Sequence, residues 1–236
     1  MFSFERNTQV LVIGGSAGIG FAIAELFHRQ GASVTLAGRS AERLRQAAHD
    51  IGADVNTAQL DVTRPVELEQ FFAQPTHWHH IVVSAASLTF GPLRTVALED
   101  AQRIFDSKFW AAYHIARLAR FAEGGSLTLI SGRFAQRAGP HTALISAVNA
   151  CVEGFARGLA SELSPVRVNV LSPGFVDTGL HPQALVEKMN QRSQALPVKR
   201  VARPADIASA ALLLATNAMI SGTVLAVDGG DTVTFT

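Results

Sequence analysis

A chain of 236 residues, 48% apolar and 17% charged, suits one large α/β domain with core enough to stand alone, and it excludes disorder and coiled coil. The formal net charge of +1 leaves no electrostatic footprint for nucleic acid; arginine outnumbers lysine 17 to 3, which reads as coding preference. No apolar run nears the ~18 residues of a membrane span, no targeting segment is read in Glu5 and Arg6, and the single cysteine, Cys151, excludes an internal disulfide, so a reducing cytoplasm is expected, with Cys151 as a small buried thiol.

Residues 10–13, Val-Leu-Val-Ile, are rich in β-branching and predict a strand buried on both faces. Glycines 14, 18 and 20 follow at once, and Ile19, Ile23, Leu26 and Phe27 then recur at helical spacing. Glycine also marks any tight turn, but strand, glycine turn, helix is the order that dinucleotide binding requires. Bare backbone N–H groups must reach a pyrophosphate, and a helix N-terminus supplies unpaired donors and a favourable dipole. The candidate cofactor-binding residues here are Gly14, Ser16, Ala17, Gly18, Ile19 and Gly20.

The spacing Gly-x-x-x-Gly-x-Gly resembles that of the short-chain dehydrogenase/reductase family. The resemblance implies a single Rossmann-like domain over residues 1–236, with a seven-stranded, mainly parallel sheet and helices on both faces. It also implies a nicotinamide dinucleotide, a small-molecule substrate and a homo-oligomer, dimer or tetramer.

Residues 33–37 predict a second strand, followed by Gly38-Arg39-Ser40. In Rossmann-like folds an acid here binds the 2′-hydroxyl of the adenine ribose, whereas an arginine accommodates a 2′-phosphate. No acid is present, so Arg39 and Ser40 point to NADP(H); the alternative is an arginine that merely begins the helix at 41–50. A third strand at 55–60 leads to Asp61 and Val62, which the resemblance places at the adenine, and to a helix at 65–73. The run His77-Trp78-His79-His80 lacks a carboxylate or cysteine at ligand spacing, so no metal is expected. It reads as a solvated lead-in to a strand at 81–83. That strand ends Val83-Ser84-Ala85-Ala86 where the family has Asn-Asn-Ala-Gly, leaving Ala85 as the carried-over cofactor contact.

Residues 98–121 predict one long helix ended by Gly124-Gly125, and at Lys108 the family usually has an asparagine. A strand at 126–131, a helix at 141–164 and a strand at 166–171 follow. The run from Pro173 to Thr178 matches the family closely, so Pro173, Gly174, Val176 and Thr178 are expected to bracket the nicotinamide and phosphates. Residues 179–203 lack sustained periodicity and read as a mobile substrate-covering segment. A helix at 204–215 and a strand at 223–227 close the pattern.

The family's chemistry rests on a serine and a Tyr-x-x-x-Lys, in which the lysine lowers the tyrosine's pKa. With the register fixed on Val152-Glu153-Gly154-Phe155, the tyrosine position falls on Ile145, the lysine position on Asn149 and the serine position on Gly132, one step after Ser131. The only tyrosine is Tyr113, so no Tyr-x-x-x-Lys exists. Two readings follow. The chain is a reductase of a carbonyl, enone or imine with Lys108 and Ser131 as candidate catalytic groups, Lys108 and Asn149 having exchanged the family's Asn and Lys. Alternatively, it binds NADP(H) without turnover, as a sensor or partner subunit.

Overall fold

The computed structural model describes residues 4–5 and 7–234, and Arg6 lies outside them. One sheet runs in the order β3-β2-β1-β4-β5-β6-β7. Its strands are β1 (Gln9–Ile13), β2 (Ser33–Gly38), β3 (Asn56–Gln59), β4 (Trp78–Val83), β5 (Phe121–Ile130), β6 (Arg167–Pro173) and β7 (Val224–Val227). Every pairing is parallel. Parallel strands covered on both faces favour apolar runs, which is why β1 reads Val-Leu-Val-Ile; β6 is buried along all seven residues, its Arg167 and Asn169 bonded to backbone carbonyls.

Among the described residues the α-helices are α1 (Gly18–Arg29), α2 (Ala41–Ile51), α3 (Pro65–Phe72), α4 (Leu98–Phe105), α5 (Ala111–Leu118), α6 (Ala143–Glu162), α7 (Gln183–Ser193) and α8 (Pro204–Thr216). Successive side chains of a strand point to opposite faces. Val10 and Val12 accordingly pack with Ile23 and Phe27 of α1, Leu44 of α2 and Ile207 of α8. Leu11 and Ile13 pack with Leu68 of α3, Ile115 of α5 and Val152 of α6. By length and composition α6 is apolar enough to cross a membrane, though polar residues interrupt its apolar runs; Val152, Ala156 and Leu159 set it in the core.

Four expectations are corrected. The helix expected at 98–121 is α4, a π-helical turn (Asp106–Trp110) and α5, and it stops at Leu118. Phe121 instead pairs with Trp78 and opens β5; the register then jumps to His80 opposite Ser126, with Gly124 at φ 71° in the bulge between. Secondly, Trp78 and His80 are not a solvated lead-in but buried residues of β4. The Trp78 ring stacks on Phe71 at 6.2 Å, and His80 Nδ1 lies 2.9 Å from Ser126 Oγ. Thirdly, the segment 179–203 contains α7. Finally, Cys151 is exposed: the buried residues of α6, from Ile145 and Val148 to Ala156 and Leu159, form one stripe that position 151 lies off.

Candidate active site

The carboxyl ends of the central strands meet where the sheet order reverses between β1 and β4, the place where ligands bind in open parallel sheets. At the end of β1, Gly14 has φ 85°, and a Cβ there would lie 2.5 Å from the backbone nitrogen of Ala85. The loop after β4 is thereby held against the glycine turn, with Ala85 N–H donating to Ile13 O at 3.1 Å. α1 begins at Gly18 behind Ala17, and neither a capping side chain nor an acidic residue occupies its first turn. Its N-terminal donors and positive dipole end remain available to an anion.

A cavity of about 230 Å³ adjoins this turn. Gly14, Ser16, Ala17, Arg39, Ser40, Asp61, Val62 and Ala85 all line it. Ser40 Oγ also caps α2, accepting from Arg43 N–H at 3.3 Å. Asp61 Oδ1 accepts from the N–H and hydroxyl of Thr63 at 3.0 and 2.8 Å. Among the described residues, neither Arg39 nor Arg43 has a carboxylate in ion-pair reach. Thr178 closes on the turn from the β6 side: a Cβ at Gly18 would meet Thr178 Cβ and Cγ2 at 3.3 Å. Val176 is buried and bridges to Ala202, while Gly174 N–H donates to Val227 O at 3.1 Å, continuing from Pro173 at the end of β6. Ile19 is partly buried against the core and does not line the cavity. A larger groove of about 810 Å³ beside Phe71 and Trp78 shares no residue with the glycine turn.

The π-helical turn between α4 and α5 buries Lys108, which is 7% exposed. Its Nζ donates to Asn149 Oδ1 at 2.5 Å and to Ser131 O at 3.0 Å. Because an ammonium only donates, Lys108 fixes which end of the Asn149 amide faces it. Asn149 Nδ2 then donates to Gly132 O at 3.4 Å. Burial pushes the Lys108 ammonium down to about 8, against the pull of the Glu153 carboxylate, which raises it. The Ser131 hydroxyl, expected as a relay into the site, instead donates to Glu153 Oε1 at 2.8 Å; only the Ser131 carbonyl meets Lys108. Ile145 is buried in a small apolar cluster with Ile104 and Val148. Tyr113 lies in α5, its ring 5.8 Å from that of Trp110.

A family model described as enoyl-(acyl carrier protein) reductase matches residues 14–232. The chain belongs to the short-chain dehydrogenase/reductase family. It is 34% identical to the short-chain dehydrogenase/reductase malC of Malbranchea aurantiaca, over 95% of this chain and 94% of that one. It is 32% identical to the 3-oxoacyl-(acyl-carrier-protein) reductase FabG of Chlamydia muridarum, over 98% and 99%. Among solved structures, the MalC reductase/Diels-Alderase of M. aurantiaca superposes with a TM-score of 0.88 at 32% identity, covering 97% of this chain and 96% of that one. A short-chain dehydrogenase/reductase of Brucella melitensis gives 0.91 at 28%, covering 97% and 98%. The family's members are oxidoreductases that use nicotinamide cofactors.

Sequence reasoning missed Arg43, Ser107 and Leu180, which line the cavity, and Glu153. Arg43 was legible in principle, because it follows Ser40 by three residues and an N-cap brings the third helical position back to itself. Leu180 carries no signal of its own.

Proposed function

We propose that this short-chain dehydrogenase/reductase is an NADP(H)-dependent oxidoreductase with a non-standard active site, transferring hydride to a small carbonyl, enone or imine. The observation that carries the reading is the seat of Lys108, an ammonium held between Ser131 O and Asn149 beside Gly132, where the family's serine would stand. The residues present fit the nucleotide. The uncapped N-terminus of α1 suits a pyrophosphate, the glycines let the turn pack closely against α1 and the loop after β4 beside the cavity, and Arg39 with Arg43 suits a 2′-phosphate.

When bound, NADPH supplies the hydride. The chain's own residues orient, exclude water and place charge. Lys108 has three N–H donors, two of them taken up by Ser131 O and Asn149 Oδ1, and the third is free to polarise a substrate oxygen directly or through water. With Ile145 at the tyrosine position there is no phenol to deliver a proton, so the reading favours substrates that demand little, such as a conjugated alkene or a pre-protonated imine. The description of one relative as a reductase/Diels-Alderase is in keeping with a range wider than carbonyls. The protein is further proposed to work as a homo-oligomer, dimer or tetramer, pairing through the outer faces of α5 and α6.

The same Gly132 and Ile145 support a second reading, an NADP(H)-binding protein without turnover. Titration with NADPH followed by a screen of carbonyls, enones and imines separates the two. NADPH oxidation with one of these classes is expected; tight binding with no oxidation across the screen gives the second reading.

A further inference from the structure

Among the described residues, Glu153 is the buried carboxylate that Ser131 joins to Lys108, and hydride transfer as described above gives it no task. It sits on the inward stripe of α6, 6% exposed, with Ser131 Oγ donating to its Oε1 at 2.8 Å. Ser131 therefore joins two ionisable groups, its hydroxyl bonded to Glu153 and its carbonyl to Lys108 at 3.0 Å. A buried ammonium and a buried carboxylate are each costly alone, and each lowers the cost of the other when both are present.

We propose that Glu153 is the counter-ion of Lys108 and a positioning residue of the site: hung from the Ser131 hydroxyl, it keeps Lys108 an ammonium and so keeps Asn149 turned with Oδ1 to Lys108 and Nδ2 to Gly132. The inference rests on the proposed role of Lys108, but its test needs no turnover. Burial drives Lys108 toward the neutral amine, and the Glu153 charge opposes that. Among the described residues, no other charged group on the packed elements bonds Ser131. Arg133 pairs with Asp231 and lies over the rings of Phe134 and Phe175. Arg137 bonds Asp231 O and Thr234 O. On α6, Arg157 and Glu162 are exposed; on α5, Arg117 is exposed and His114 half-buried; on the π turn, Asp106 is half-buried. Arg103 of α4 pairs with Asp100, and Arg167 of β6 bonds the carbonyls of Leu214 and Ala215. Glu153 is thus the charged group that a single residue, Ser131, links to Lys108.

With only three lysines, Lys108, Lys188 and Lys199, protein carrying ¹³C-labelled lysine gives three side-chain signals, and Lys108→Met assigns the first. In the wild type the Lys108 signal is expected to titrate well below the ordinary lysine value of 10.5. Glu153→Gln keeps an acceptor for Ser131 and removes the charge, and it is expected to lower the Lys108 midpoint by about one pH unit or more, a tenfold loss of proton affinity. Glu153→Asp, which keeps the charge one methylene further off, is expected to fall between, and it decides the matter should the glutamine variant not fold. A midpoint unmoved in whichever variant folds would overturn the proposal. Absence of turnover with every substrate would count against the hydride-transfer reading and leave this measurement standing.

Discussion

A Cβ on Gly20 would lie 2.2 Å from the carbonyl oxygen of Gly14. The first turn of α1 is thus pressed directly onto the end of β1, and the helix N-terminus points at the anion site because nothing but hydrogen separates the two backbones. Gly20→Ala must push α1 away from the sheet. A stability loss of the order of 3 kcal/mol is expected, as for an overpacked core position, with NADPH affinity falling alongside. Urea unfolding and nucleotide titration of the variant check both, and unchanged binding would remove the glycine turn from the site.

Arg39 and Arg43 line the cavity with no carboxylate paired to either among the described residues, so both favour an added phosphate. NADPH is expected to bind far tighter than NADH. A charge-assisted hydrogen bond contributes roughly 1.5–3 kcal/mol, so Arg39→Ala is expected to weaken NADPH by about one to two orders of magnitude and to leave NADH nearly unmoved. Fluorescence titration with both nucleotides reads this, and equal wild-type affinities would refute the assignment.

How much of this was legible in the chain differs between scaffold and site. The run at residues 10–13 and the glycines after it specify strand, turn and helix by local rules, and the structure carries them as β1 and α1. The boundaries near Phe121 and Trp78 were not legible, because each is decided by a partner strand far away in sequence and by the bulge at Gly124. Counting backward from Val152 gives Gly132 as the serine position and Asn149 as the lysine position, and in the structure a Cβ at Gly132 would meet Asn149 Nδ2 at 3.1 Å. The direction of the Ser131 hydroxyl escaped the same counting. Spacing tells which residues share a helix face, whereas the way a strand end turns depends on an acceptor such as Glu153, on another element.

His80 gives the fold a dependence on acid. Burial, then the charge of Arg167 and then His79, push it down to about 3 from an ordinary value of 6.5. The folded state therefore holds the neutral ring where the unfolded chain binds a proton, so the contribution is fully present above pH 6.5 and is lost as pH falls from 6.5 toward 3. Wild-type stability is expected to drop by about 1.4 kcal/mol per pH unit on this account over that interval. Urea unfolding at pH 7, 6 and 5 measures the slope. His80→Gln should flatten it; the same slope in the variant would place its origin elsewhere.

Trp110 is 48% exposed at the end of the π turn, in ring contact with Phe109 and Tyr113, and Cys151 is exposed on α6. An aromatic surface of this kind is covered economically by its own copy across a twofold axis. Light scattering at micromolar concentration is expected to return two or four times 25.1 kDa. Trp110→Glu should reduce the mass toward one copy, and a monomeric wild type would dismiss the surface as an interface.

Lys108 is where the proposed chemistry stands or falls. With its midpoint at about 8, it is mostly an ammonium at neutral pH and titrates close enough to the working range to give up and regain a proton. Activity that needs the cation should therefore be full below that value and fall as pH rises through it, the opposite limb from one set by a base that must lose its proton. Its effect on stability has its own sign: the unfolded chain holds the lysine proton up to its ordinary value of 10.5, so stability from this group rises with pH between about 8 and 10.5. Lys108→Met keeps the length of the side chain and removes the charge. Once a substrate is found, the change is expected to lower kcat by ~10²-fold or more, the usual scale for a lost acid or electrostatic group, to erase the alkaline limb, and to leave NADPH affinity within about twofold, because Lys108 lies outside the lining of the nucleotide cavity. Asn149→Ala should reproduce part of the loss by releasing the ammonium from its 2.5 Å acceptor. If Lys108→Met retained both the rate and the alkaline limb, the ammonium would be a buried structural charge and the reading without turnover would gain.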